Sequence, residues 1–487
     1  MMKHVFGVLL TLCLTVIQAQ SLETRIQGVE LGLSFPKITS PNQPLKTKDI
    51  ITRLNDFNIP GASVAVLHNG KIDWSKAYGI TDVSNPDQVT TETLFQCASV
   101  GKIITALSIL KLVDEGKIAL DENVNNKLKR WKIGDNKFTA EQVVTLRHLL
   151  SHSSGLADEY GFLGYAPDRE IPDVLEILNN GPKSNAKKSL SVKNIPGKQE
   201  NYSGGGYLIV QLLIEDLSGK TFAEYVQDNI FNVLAMTHTT YSHKPDEQLG
   251  FKVARGHKGN GKVFKNKKYH IYPEKAAAGP WTTAEDLAKI ALAIQGNLKN
   301  ESNSLLSREL ISEFITPQIN RRGLGVHLRG VNRPLAIWHA GQNLGYTGLF
   351  YALTEKGDGA IILVNSEGGE IMIQEFISSV ANEYQWPIMK SYQALEEFEE
   401  KKSALVGTYE DSSKLKRFSI ELLNDQLFVK IPNSKKGEAL YKINENHYTF
   451  KDAQDYYKLS FNHKSNKIIS VSYTESIGKT VELEKVN

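Results

Sequence analysis

The spacing of apolar positions divides this chain into stretches with different periods. Residues 47–58 show a short helical period that ends before Pro60-Gly61. Ala62–Leu67 and Lys71–Tyr78 are apolar, β-rich runs on either side of His68-Asn69-Gly70. Asn-Gly between such runs predicts a hairpin, because both residues tolerate positive φ. Ile103 to Val113 is apolar on nearly every face and stops at Gly116. A helix apolar all round belongs in a domain interior. Helical periods follow at Leu146–Leu150, at Tyr207–Leu217 closed by Gly219, and at Thr283–Ile294 closed by Gly296. Strand signals return at Leu335–His339, Gly348–Leu353 and Ala360–Val364, with a helix around Ile371–Tyr384. Strands at both ends with helices between predict an α+β domain over 45–390, its sheet joining early and late segments.

Both flanks differ from this pattern. Residues 391–404 are densely charged (Glu396, Glu397, Glu399, Glu400, Lys401, Lys402) and read as a linker. Over 405–487 short alternating runs take over: Phe418–Leu423, Gln426–Ile431, Ala439–Ile443, Tyr456–Phe461 and Ile468–Tyr473. Turn residues such as Asn424-Asp425 and Pro432-Asn433 separate them, which predicts a small all-β barrel or sandwich. At the other end, Lys3 and His4 precede an apolar run from Val5 to Ile17, followed by Gln18-Ala19-Gln20. A basic start, an apolar run short for a bilayer and a small residue after it read as a signal peptide over 1–19, cleaved after Ala19. An uncleaved anchor is the alternative. Bulky Leu12 before Cys13 argues against lipidation. The expected product is exported, periplasmic or secreted, with no membrane span after cleavage and with residues 20–44 as a lead-in.

Charge adds an exclusion. Lys plus Arg number 57 against 54 for Asp plus Glu, and the Lys-rich stretches are short, so no polyanionic partner such as nucleic acid is expected. After cleavage only Cys97 remains, so the fold gains nothing from an internal disulfide. Its place two residues before a better nucleophile suggests packing.

That nucleophile is Ser99. Ser99-Val100-Gly101-Lys102 opens the apolar helix, where residues three apart share a face and the amine can sit beside the hydroxyl. A serine alcohol needs a neighbour that takes its proton, and a desolvated lysine can serve. The Ser99 amide, at a helix start, can donate to a developing oxyanion. Ser-x-x-Lys alone is weak, expected about twice by chance at ordinary residue usage. Ser184 with Lys187, Ser413 with Lys416 and Ser476 with Lys479 repeat it in polar or β-patterned surroundings. Taken alone, Ser99 reads equally well as a helix cap.

Phe95–Lys102 resembles the nucleophile segment of the serine β-lactamase and penicillin-binding-protein superfamily. The resemblance is greatest to the branch of class C β-lactamases, D-amino-acid peptidases and related esterases. It continues in Thr145–Leu156 (TLRHLLSHSSGL), Tyr202-Ser203-Gly204-Gly205-Gly206-Tyr207, Ala278–Thr283 and Trp338-His339-Ala340-Gly341, in the family's order over roughly residues 45 to 385. It implies that Tyr202 stands opposite Lys102 across Ser99, removing the proton and returning it to the leaving group. It also implies that His339 and Gly341 lie on an edge strand lining the cleft, with room for substrate at Gly341. The Gln342 amide would then be the second oxyanion donor beside Ser99, and His339 would donate to substrate or support Tyr202. Gly204 and Tyr160 join the expected substrate-binding residues, Tyr160 with Asp158, Glu159, Phe162 and Tyr165 along a rim after Gly155.

Two positions depart from the family. Gly204 stands where many relatives have an Asn that bonds the lysine and a substrate amide. His-Ala-Gly replaces the Lys-Thr-Gly of stricter β-lactamases, so a mostly neutral imidazole takes the place of a permanent ammonium. Both favour a peptidase, amidase or esterase over a β-lactamase. A non-catalytic sensor that keeps the fold is the rival reading, and β-lactamase activity a further alternative. His148 and His152 could share a helix face as metal ligands, but no Glu follows His148, and core packing is the better reading. Gly256–Lys262 imitates a phosphate loop but has Val263 where Ser or Thr is needed, and reads as a surface loop. No metal or cofactor is expected. The substrate is a small molecule or peptide; any partner of the β domain is open.

Overall fold

The computed structural model describes residues 21–34, 38–156, 163–186, 189–264, 268–299, 305–330, 336–397, 399–412, 417–430, 437–445, 447–450, 458–464, 467–474 and 480–486. The proposed signal peptide, Tyr160, Lys187, Ser413 with Lys416, and Ser476 with Lys479 lie outside them.

Six strands form the central sheet: β1 (Gly61–His68), β2 (Lys71–Gly79), β3 (His327–Arg329), β4 (Ala336–Asn343), β5 (Tyr346–Leu353) and β6 (Gly359–Val364). Their order is β2-β1-β6-β5-β4-β3, every neighbour antiparallel. The sheet closes the chain on itself where β1 pairs with β6, Ala62 opposite Val364. Period-two alternation sorts side chains onto two cores. Ala65, Leu67, Ile361 and Leu363 face the helical region, whereas Val64, Val66, Ile362 and Val364 face helices Leu22–Leu31 and Glu370–Glu383. The β1–β2 turn has positive φ at Asn69 (53°) and Gly70 (76°), as its Asn-Gly sequence predicts.

On the first core's side lie helices Gly101–Asp114, Gly204–Ser218 and Ala284–Leu298. Gly101–Asp114 is buried at every position from Gly101 to Leu110, which explains its all-round apolar sequence. The helix predicted at 47–58 occupies Ile50–Asp56, started by Asp49, whose carboxylate accepts the Thr52 amide at 2.9 Å. The strand predicted to end at His339 runs on to Asn343. Ala340-Gly341-Gln342-Asn343 carries no β-branched residue, and pairing with β5 through Asn343–Tyr346 holds it extended.

Strands from Gly407–Glu410 to Thr480–Val486 close into an eight-stranded antiparallel barrel, the first pairing with the last at Thr408–Val486. Tyr409, Ile420, Val429, Leu440, Leu459, Val471 and Leu483 fill it. The stretch read as a linker is itself structured. Tyr392–Gln393 pairs in parallel with Ile38–Thr39 of the lead-in, and residues 399–405 are helical. Glu397 is nearly buried and accepts a 2.8 Å bond from Lys442 of the barrel. The segment around Gly256 is more than a surface loop. Lys258, Gly259, Asn260 and Lys262 are exposed, but His257 is fully buried and its Nδ1 donates to the Asn365 carbonyl at 2.9 Å. Among the described residues no helix is long and apolar enough to cross a membrane.

Candidate active site

Ser99 lies in a 3-10 turn, Ala98–Val100, just ahead of helix Gly101–Asp114 rather than inside its first turn. Ala98 has φ +50°, a left-handed conformation costly for a residue with a Cβ. Ser99 is the partly exposed residue of a segment buried from Thr93 to Ala98 and again from Val100, so its side chain is reachable from outside. Cys97 is fully buried, and burial pushes its thiol up to about 12, which removes it as a competing nucleophile.

Lys102 is fully buried one turn later. Its Nζ donates to Ser99 Oγ at 3.1 Å and to the Ala277 carbonyl at 2.7 Å. The amine also stands 5.1 Å from the ring centroid of Tyr202 and 5.3 Å from that of Tyr207. A buried cation needs such partners, since uncompensated burial costs several kcal/mol. The Ala277 carbonyl comes from the short helix Lys275–Ala278, whose Ala278 carbonyl accepts from Asn343 Nδ2 at 3.1 Å. One short helix thus ties the amine to the end of β4.

β4 supplies the cleft's other wall. A Cβ built on Gly341 would lie 2.1 Å from the Cys97 carbonyl oxygen, so this strand passes directly against the nucleophile turn. Asn343 and Tyr346 flank a two-residue loop and must be a hydrogen-bonded pair. By alternation, the amides of Ala340 and Gln342 point away from β5. β3 reaches only as far as Trp338, so from His339 onward that side of β4 is an open edge. The strand is therefore an edge only in its second half. The Gln342 amide thus faces the open edge, with no strand partner there among the described residues, one residue from the contact with the Ser99 turn.

Tyr202 enters from the turn before helix Gly204–Ser218 and is 37% exposed. Among the described residues no hydrogen bond joins its hydroxyl to Ser99 or Lys102. Its ring shares the cleft with the Lys102 amine, which lies 5.1 Å from the ring centroid. Ser203 caps the helix, accepting the Gly206 amide at 2.9 Å. Gly204 opens it, buried. A Cβ on Gly206 would make only ordinary contacts, 3.5 Å or more, so crowding does not require glycine there.

His339 sits beside Tyr202, ring centroids 6.4 Å apart, and is almost wholly buried. Burial, with Lys102 nearby, pushes its imidazole down to about 3, so it is neutral at physiological pH. Its Nδ1 donates to the Ala340 carbonyl at 2.7 Å, which leaves Nε2 as a bare acceptor with no partner among the described residues. His339 in this arrangement therefore offers a lone pair at Nε2 and lies beside Tyr202, which it is expected to support where it does not donate to substrate.

Three residues that the sequence reading did not assign to the site also stand here. His152 stacks on Tyr202, centroids 4.2 Å apart. The Arg322 guanidinium lies 5.4 Å from the Tyr202 ring and is ion-paired with Glu200 at 2.5 Å. His327 bonds Arg322 and meets His339 edge-on at 5.1 Å. Glu200, two residues before Tyr202, was the available sign that a cation lies close. His148 and His152 do not share a helix face: His148 lies in helix Leu146–Leu150, where its Nδ1 accepts the Thr145 amide at 3.3 Å, and His152 lies beyond that helix.

A buried lysine bonded to a partly exposed serine beside an open strand edge is an arrangement suited to serine acyl transfer. The β-lactamase family model matches residues 47–375, and the chain belongs to that family of serine hydrolases. Protein flp of Staphylococcus aureus (strain N315) is 23% identical over 360 residues, 73% of this chain and 70% of its own length. Penicillin-binding protein 4 of Amycolatopsis lactamdurans is 29% identical over 208 residues, 42% of this chain and 50% of its own. Among solved structures, the octameric penicillin-binding protein homologue from Pyrococcus abyssi matches with TM-score 0.57 and 21% identity, over 89% of this chain and 98% of that one. The D-amino acid amidase from Ochrobactrum anthropi matches with TM-score 0.57 and 22% identity, over 75% and 98%.

Proposed function

We propose that the protein is an exported hydrolase that cleaves esters or amides through an acyl-enzyme on Ser99. The observation that carries this reading is the 3.1 Å bond from a fully buried Lys102 to the Ser99 hydroxyl. Tyr202, as phenolate beside the ammonium, takes the Ser99 proton while Oγ attacks the carbonyl. Negative charge on the carbonyl oxygen is met by the Ser99 and Gln342 amides. The proton passes to the departing alcohol or amine, and the acyl group remains on Ser99. Water then attacks the ester, its proton following the same route to Tyr202, and serine is regenerated.

The substrate class follows from charge. Where stricter β-lactamases hold a lysine, this chain has a buried, neutral His339, and Arg322 is already paired with Glu200. Neither offers a free cation to a substrate carboxylate. Acyl groups without a carboxylate are favoured, and the amidase among the structural neighbours makes D-amino-acid amides the first to try.

A panel of p-nitrophenyl esters, D- and L-aminoacyl amides and a chromogenic cephalosporin tests this. Ester or amide turnover should far exceed cephalosporin turnover. Rapid cephalosporin cleavage would overturn the charge argument. A stable Ser99 adduct with no product release over hours would mean a sensor.

A further inference from the structure

His152 holds Tyr202 from three sides. Its carbonyl accepts the amide of Asn201 at 2.7 Å. Its Nδ1 accepts the amide of Ser203 at 3.1 Å. Its ring stacks on the Tyr202 ring at 4.2 Å, tilted by 27°. The residues before and after the phenol are thus pinned by the same residue that covers its face. His152 itself is fixed: it is 2% exposed, its amide donates to the Leu149 carbonyl, and its φ is +57°. A left-handed backbone outside glycine is costly and persists where surrounding contacts impose it. Burial, with Arg322 and Lys102 nearby, pushes the imidazole well below its usual range, so Nδ1 keeps its lone pair for Ser203. A protonated ring would lose that bond.

We infer that His152 is a positioning residue for Tyr202, acting on the reaction only through the phenol. The inference rests on the proposed role of Tyr202 and adds a second residue to it. Charged and titratable groups around the pair are Lys102 and Tyr207 from the two core helices, Arg322 with its partner Glu200, and His327 and His339 from the sheet. None of these bonds the backbone on both sides of Tyr202; His152 alone does so among the described residues.

The test is a double-mutant cycle on ester hydrolysis and on the rate of Ser99 labelling by a fluorophosphonate. His152→Asn suits the left-handed backbone and keeps a side-chain acceptor near Nδ1, but removes the stacked ring. His152→Phe keeps an aromatic face and removes the acceptor. Each should lower kcat by about ten- to a hundredfold, the scale of a misplaced catalytic group, with KM within about twofold. In a Tyr202→Phe background, which retains the ring but lacks the hydroxyl, neither should cost anything further. Labelling over hours follows the slow variants, and either His152 substitution suffices if the other fails to fold. Equal losses in both backgrounds would overturn the inference and reduce His152 to a structural part. A wild-type chain that neither turns over nor labels would instead overturn the hydrolase reading. Full activity in Tyr202→Phe would remove the phenol from the mechanism and His152 with it.

Discussion

Gly341→Ala tests whether the contact between β4 and the nucleophile turn sets the catalytic geometry. The new Cβ would lie 2.1 Å from the Cys97 carbonyl oxygen and 3.2 Å from both Cys97 C and Ala98 Cβ. A carbon–oxygen contact relaxes to about 3.3 Å, so the strand and the turn must part by about 1 Å. The closest atoms are backbone, and no side-chain rotation relieves them. Forcing a methyl into such a site costs about 1–3 kcal/mol. Function should suffer more, because the parting moves the Gln342 amide away from Ser99. A displaced oxyanion donor costs about 100- to 1,000-fold in kcat. Gly116→Ala serves as control. Gly116 has φ +69° with nothing within 4 Å of a new Cβ, so alanine there should cost about 1 kcal/mol of stability and no activity. Both variants would be followed by thermal melting and by steady-state hydrolysis of a p-nitrophenyl ester. If Gly341→Ala kept more than about a third of wild-type kcat, or if both variants lost activity in proportion to stability, the oxyanion argument would be wrong.

Two predictions concern pH. Unfolded, His339 takes a proton near 6.5, but folded only near 3, so between these values the unfolded state binds more protons. Its contribution to stability is whole above about 6.5 and is lost as pH falls, at up to about 1.4 kcal/mol per pH unit; melting temperatures from pH 7 to 4 should fall less steeply in His339→Asn. Glu274 runs the other way. Burial raises its carboxyl to about 7, and Oε2 has no partner among the described residues, so its contribution is whole below about 4.5 and lost as pH rises through 7. Glu274→Gln should therefore raise the melting temperature at pH 8.5 and change it little at pH 5; equal effects at both would refute the assignment.

Regular elements were legible in the sequence because their periods and stops are local. The Asn69-Gly70 hairpin, the all-round apolar helix after Ser99 and the alternation after Leu405 each declare themselves within a dozen residues. The pairing of Lys102 with Ser99 was legible for the same reason, since three residues along a turn place side chains together. The long-range part of the site was less so. His152 reads as core packing until folding brings it against Tyr202, fifty residues on, and nothing near Arg322 announces that it meets Tyr202. The hydrogen-bonding state of His339 is decided by its own neighbour's carbonyl and by burial, neither visible in His-Ala-Gly. The dense charges of 391–404 read as a linker and gave no sign that Glu397 would find Lys442 and Tyr448 in the barrel.

The account stands on Ser99 being the atom that takes the acyl group. Intact-mass and peptide mapping after brief exposure to an activated ester or fluorophosphonate measure this directly. One adduct should appear on the peptide holding residue 99, vanish in Ser99→Ala, and form far more slowly in Lys102→Ala. An adduct that survives in Ser99→Ala, or a wild-type chain that stays unmodified while it hydrolyses the ester, would contradict it.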